Sequence, residues 1–215
     1  MKKISILIWD RHTRLFHWLL VLAFSFSMTT GLLGDIDLMD WHMISGYSIL
    51  GLLVFRCLTG LFGKDYGQFS RFPLSPRSVF SYLKGQNDFP GHNPLGSWMV
   101  VVMLAGLLVQ ALSGLMTTDD IFVEGPWVLW VSEEWVSWAG EVHGVMFRVL
   151  IALVVLHLLA ILFYQVVKQQ RLVVAMITGN KLREREDEAA TNLSIGRLLL
   201  LAVVAATATW LLIEM

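Results

Sequence analysis

Six histidines stand in this sequence, and four of them, His17, His42, His143 and His157, lie within or at the ends of long apolar runs. An ionisable side chain costs free energy there and usually has a function, so these four form a candidate site. His143 and His157 are fourteen residues apart. Fourteen residues turn a helix through nearly four revolutions, so both imidazoles share one face, about 21 Å apart along the axis. Neutral imidazole binds a metal through one ring nitrogen while the other donates to a carbonyl or water. Two ligands at two depths on one helix suit two stacked haems, each needing a second axial ligand from a facing helix.

The elements that must position them follow from composition. Of the 215 residues, 56% are hydrophobic and only 15% charged, too little polar surface to clothe a water-soluble globule. Five apolar stretches are long enough to cross a bilayer as helices: 15–33, 41–62, 95–116, 142–167 and 195–213. The fold expected is an all-α integral membrane protein, a four-helix transmembrane haem-binding bundle with a fifth, C-terminal transmembrane helix. The first stretch reads as a retained helix, because Trp9 to Arg14 precede it and no small-residue cleavage site follows.

Charge sets the direction of the chain. Lys2, Lys3, Arg11 and Arg14 precede the first span. Lys64, Arg71, Arg77 and Lys84 lie between spans two and three, and Lys168, Arg171, Lys181, Arg183, Arg185 and Arg197 between spans four and five. The alternate loops hold only acids: Asp35, Asp37 and Asp40 in one, Asp119, Asp120, Glu124, Glu133 and Glu134 in the other. Short basic loops stay cytoplasmic, so the N-terminus is expected inside and the C-terminus outside. His17 then lies in the cytoplasmic half and His42 near the outer face. Depth matching pairs His17 with His157 and His42 with His143.

Glycine and arginine fill out the site. Gly31 is fourteen residues after His17, and Gly46 and Gly60 are fourteen apart, spacings that would let backbone approach a porphyrin face. Small residues also serve plain helix packing in membranes. Haem propionates need cationic partners. Arg56, fourteen residues after His42, is the candidate for the inner haem, with Arg11 or Arg14 helping. Arg148, the basic residue of the outer half, is the candidate for the outer one. His12 and His92 read as interfacial hydrogen-bonding residues. Cys57 is the sole cysteine and no Cys-x-x-Cys-His motif occurs, so both haems would be b type, held without thioether links. Residues 75–85 read as a short amphipathic interfacial helix with a Ser75 cap and Pro76 in its first turn. Trp127, Trp130, Trp135 and Trp138 sit among carboxylates in an outer loop, as an aromatic belt or a docking platform.

Several segments resemble the bacterial cytochrome b561 family, which includes the b-type subunits of nickel-iron hydrogenases. They are Trp9-Asp10 with Thr13-Arg14-Leu15-Phe16-His17-Trp18, His42-x-x-x-Gly46 with Arg56, and Gly91-His92-Asn93-Pro94-Leu95-Gly96. Thr118-Asp119-Asp120 and Met176-Ile177-Thr178-Gly179 complete the set. The resemblance implies the same four ligands, two haems, and electron exchange between a quinone pool and a redox partner. It suggests a haem domain over residues 1–181, followed at 182–215 by a cytoplasmic linker and the fifth helix, in a bacterial inner membrane.

The reading expected is a diheme cytochrome passing electrons across the bilayer between quinone or quinol and a periplasmic redox protein. The alternative is the membrane-anchor subunit of a nickel-iron hydrogenase or a similar enzyme. A metal or proton transporter, or a membrane scaffold, would have no use for the fourteen-residue ligand spacing. No nucleophilic arrangement and no phosphate loop is present, and family analogy extends to oxidation of quinol or superoxide without naming a substrate. The net charge of −1 selects no class of partner. No nucleic acid is expected, and a homo-oligomer is compatible with the sequence.

Overall fold

The computed structural model describes residues 4–63, 66–85, 89–119, 121–183 and 189–214. Lys2, Lys3, Lys64, Asp120 and Arg185, used above to orient the chain, lie outside the described residues.

Local chemistry sets the helix ends. α1 (Arg11–Leu33) starts where the Asp10 side chain accepts from the Thr13 N–H, and stops at Gly34, whose φ of 62° is the left-handed conformation glycine tolerates. α2 (Ile36–Phe62) follows directly, with Asp35 as its cap. α3 (Pro76–Leu83) is the expected amphipathic helix, capped by the Ser75 hydroxyl accepting from the Ser78 N–H. α4 (Pro94–Gly114) combines an Asn93 cap with proline in its first turn. α5 (Glu133–Val166) and α7 (Ile195–Ile213) complete five helices long and apolar enough to cross a membrane.

Two features depart from expectation. α5 begins nine residues before the predicted span, so Trp135 and Trp138 belong to its first turns and not to a loop. Its 34 residues reach about 51 Å, well beyond the ~30 Å hydrocarbon core. Glu133 and Glu134 in the first turn favour this start, because negative charge complements the helix dipole. The second departure is a small antiparallel sheet. β1 (Ile4–Leu7) pairs with β2 (Asn180–Arg183), which directly follows the short helix α6 (Leu172–Thr178). β2 runs through positions 181 and 182, where the sequence placed a domain junction. Ile6, Ile8, Trp9 and Ala175 close a small apolar core beneath this sheet, with Tyr66 and Met176 against it.

The ends of the bundle differ in charge. One, here the basic end, carries the start of α1, α3, α6 and both strands. The acidic end carries the α1–α2 turn and the start of α5. Midway between them, Ile49 and Leu53 of α2 meet Leu107 of α4 and Leu150 of α5, with Leu20 and Phe24 of α1 beside them. α7 lies on the back of α2. Thr209 approaches Gly51, Arg197 donates to the Phe62 carbonyl (2.8 Å), and Trp127 Nε1 donates to the Leu212 carbonyl (2.6 Å).

Candidate functional site

At the acidic end His42 and His143 face each other, ring centres 6.2 Å apart and planes at 83°. Each ring is fixed from behind in the same way. His42 Nδ1 lies 2.9 Å from the Ser27 carbonyl of α1, and His143 Nδ1 lies 3.0 Å from the Gln110 carbonyl of α4. A carbonyl only accepts, so Nδ1 carries the proton in both rings and Nε2 keeps its lone pair. Hydroxyls of Ser27 and Ser113 stand at 3.4 Å and 3.3 Å from the same nitrogens.

Four residues beyond each accepting carbonyl is a glycine. A Cβ on Gly31 would lie 2.8 Å from His42 Cε1, and one on Gly114 would lie 3.0 Å from His143 Cε1. Gly31 therefore makes room for the His42 ring, a more specific role than the porphyrin clearance expected of it. Gly46 has no protein atom within 4 Å of a Cβ position, which leaves space beside the pair. The space at Gly60 is taken by the Phe69 ring, which a Cβ would approach at 2.4 Å. Sequence reasoning missed Ser27, Gln110, Ser113 and Gly114. The available signal was polar residues isolated in apolar helices.

At the basic end His17 and His157 lie within electrostatic reach of each other. Trp18 meets the His17 ring edge-on at 5.0 Å between centres, and His17 Nδ1 is buried without a hydrogen-bond partner. Beyond this pair, His92 is packed between Trp9 (4.5 Å) and Phe72 (5.1 Å). Burial, with the positive charges of Arg56 and Lys181 and the nearby His157, pushes the His92 pKa down to about 3, so it stays neutral. Asp10, two residues before His12, is also buried. Burial pushes the Asp10 carboxyl up, but His12 and the N–H and hydroxyl of Thr13 outweigh this and hold it below the usual carboxylate value. His12 Nδ1 is 3.0 Å from Asp10 Oδ1.

The arginines divide. Arg56 is 4% exposed, donates to the Gly67 carbonyl at 2.7 Å and stacks over Phe69 at 4.6 Å, with Asp10 in electrostatic reach. It anchors loop 66–72 beside the basic-end pair. Arg14 donates to the Ile177 carbonyl at 2.5 Å, closing the C-terminus of α6, where a cation suits the helix dipole. Arg11 is exposed. Arg148 is placed apart from the two outer histidines. Five residues turn a helix by 500°, which puts Arg148 about 140° around α5 from His143. It is exposed, with its guanidinium 5.7 Å from the Phe147 ring centre, so it does not line the space between His42 and His143.

These residues fit a haem iron at the acidic end. Two imidazoles sharing one metal, each with a metal–nitrogen bond of about 2 Å, have ring centres roughly 6 Å apart. The observed separation matches, the tautomers are correct, and open space adjoins Gly46. Among the described residues no three His, Cys, Asp or Glu side chains converge. The histidines come as two pairs, one at each end of the bundle.

A family model described as prokaryotic cytochrome b561 matches residues 8–179, most of the chain and all four histidines. Neither the curated proteins nor the solved structures gave a match. With that match and five helices able to cross a membrane, the chain belongs to the prokaryotic cytochrome b561 family, whose members are multi-pass membrane proteins that bind b-type haem and transfer electrons.

Proposed function

We propose that this chain is a diheme cytochrome of a bacterial inner membrane, exchanging electrons between a quinone pool and a periplasmic redox protein. His42 and His143 hold the outer haem, and His17 and His157 the inner one. Residues 1–181 form the haem-bearing unit, and 182–215 the linker and fifth helix. The basic end is cytoplasmic, so the N-terminus is inside and the C-terminus periplasmic. The facing of His42 and His143, with both Nδ1 atoms turned to helix carbonyls, carries this reading.

A bound haem would supply a one-electron couple, and His42 with His143, and His17 with His157, would be the residues that hold it. The chain's own part is to hold the rings and exclude water. The Ser27 and Gln110 carbonyls fix the outer rings on facing helices. The apolar layer around Leu53, Leu107 and Leu150 separates the two levels. Arg56 and Arg14 put positive charge near the inner level, where propionates would need it.

Haem stoichiometry and ligand variants test this together. A pyridine haemochrome assay should give two non-covalent b haems per chain. His42→Ala and His143→Ala should abolish the same redox transition, and His17→Ala and His157→Ala the other. One haem per chain, or a crossed grouping, would reject the arrangement.

A further inference from the structure

The Ser27 and Gln110 carbonyls, which take the Nδ1 protons of His42 and His143, share a second feature. Each accepts another hydrogen bond from a hydroxyl three residues further along its own helix. Thr30 Oγ1 donates to the Ser27 carbonyl at 3.1 Å, and Ser113 Oγ donates to the Gln110 carbonyl at 3.0 Å. Both hydroxyl residues are buried, and each is followed by the glycine that makes room for the ring, Gly31 or Gly114. The order of carbonyl, then hydroxyl, then glycine therefore stands twice, as Ser27, Thr30, Gly31 on α1 and as Gln110, Ser113, Gly114 on α4.

Hydroxyls in membrane helices often bond a carbonyl of the preceding turn, which by itself satisfies the side chain. Thr117 does so at 2.8 Å, on the Ser113 carbonyl, which holds neither outer ring. At Ser27 and Gln110 the same bond falls on the oxygen that also holds an imidazole. A carbonyl oxygen has two lone pairs, and inside a helix the N–H four residues on already takes up part of that capacity. A hydroxyl donor competes with the imidazole for the rest, so the bond from Nδ1–H weakens. Strong acceptance at Nδ1 makes an imidazole a more basic ligand, which favours ferric iron; weaker acceptance favours the ferrous form.

We propose that Thr30 and Ser113 are positioning residues that raise the redox potential of the outer centre, each by donating to the carbonyl that holds a ligand imidazole. The inference rests on an outer haem held by His42 and His143, as proposed above. The two hydroxyls differ in strength. The Ser113 proton goes to the Gln110 carbonyl, whereas the Thr30 proton is shared between the carbonyls of Ser27 and Phe26, the latter at 3.0 Å. Ser113 is therefore the stronger of the two.

The test is redox titration of the haem-loaded full chain, with His42→Ala marking which transition belongs to the outer centre. Ser113→Ala should move that transition to more negative potential, by about threefold in the reduction equilibrium or about 28 mV for a one-electron couple. Thr30→Val, equal in size to threonine, should move it the same way by less. The other transition should stay in place in both variants. Ser113→Thr, which keeps the donor, should hold the wild-type potential, and Thr117→Val should shift neither transition. If Ser113→Ala loses the haem, Ser113→Cys, close in size and a weak donor, takes its place. An unshifted outer transition in variants that retain haem, an equal shift of both transitions, or an equal shift in Ser113→Thr overturns the proposal. Absence of any transition that His42→Ala removes is a separate failure, which overturns the outer haem itself.

Discussion

The His42 ring is held at three places: its Nδ1 by the Ser27 carbonyl, its Cε1 edge by the missing side chain of Gly31, and its far side by His143. Gln110 and Gly114 do the same for His143. Because Ser27/Gly31 and Gln110/Gly114 are both four-residue pairs, one turn of each neighbouring helix supplies both the acceptor and the gap. A methyl group at either glycine would force its imidazole to move. Gly31→Ala and Gly114→Ala should therefore each lose most of the haem at the acidic end, about half the total, and leave the other redox transition in place. Gly46→Ala separates protein from cofactor. No protein atom lies within 4 Å of its Cβ position, so haem loss in that variant, measured by the same absorbance assay, reports contact with the porphyrin itself. Full haem retention in Gly31→Ala would mean that the ring can shift without consequence. The four histidines were legible because ionisable groups in apolar helices stand out and their spacing is helical. Ser27 and Gln110 were marked only indirectly, as polar residues in apolar helices, because the acceptor itself is a backbone carbonyl that any residue supplies; Gly114 reads as ordinary packing until the His143 ring is placed against it.

Elements at the basic end are joined largely through loops and side-chain hydrogen bonds. Arg14 and Trp18 of α1 bond the last carbonyls of α6, the Gly179 carbonyl accepts from both Ile8 and Trp9, and His92 fills the space between Trp9 and Phe72. Neutrality of His92 has a measurable consequence. Its native pKa of about 3 lies below the unfolded value of 6.5, so the unfolded chain takes up a proton first as the pH falls. The stabilisation linked to His92 is complete above pH 6.5 and declines between 6.5 and 3, by at most about 1.4 kcal/mol per pH unit. His92→Gln should flatten the dependence of the unfolding temperature on pH between 7 and 5; an unchanged slope would assign that dependence to other groups. The helix caps Asp10, Ser75 and Asn93 could be read in advance, because capping is local. β1 and β2 could not: Ile4–Leu7 is short and its partner lies over 170 residues away, so only the fold brings the two edges together. The length of α5 was also obscured, since hydropathy marks the membrane boundary and not the end of the helix.

At the scale of the molecule, the acidic end presents both charge and apolar surface. Ile121, Phe122, Leu129 and Trp130 are each at least 70% exposed, near Glu133 and Glu134. The tip of that loop is fixed because the Asp119 carboxylate accepts from the N–H groups of Ile121, Phe122 and Val123, which also hold its pKa below the ordinary value. A basic redox partner would be drawn to this surface. Its rate of electron exchange with the outer haem should fall severalfold as salt rises from 10 to ~150 mM, and fall again in Glu133→Gln/Glu134→Gln. A rate indifferent to both, in stopped-flow absorbance, would reduce the tryptophans to membrane anchors. The apolar layer of Ile49, Leu53, Leu107 and Leu150 bears on energy as well as on packing. It acts as the dielectric of a capacitor whose plates are the two histidine levels. Those levels are about 21 Å apart in a hydrocarbon core of ~30 Å, so with a haem at each level, as proposed, an electron moving between them would cross roughly two-thirds of the transmembrane voltage. Under the diheme arrangement proposed above, each 100 mV would then shift the equilibrium between the two centres by about 1.6 kcal/mol, and the direction of flow would respond to the energised state of the membrane.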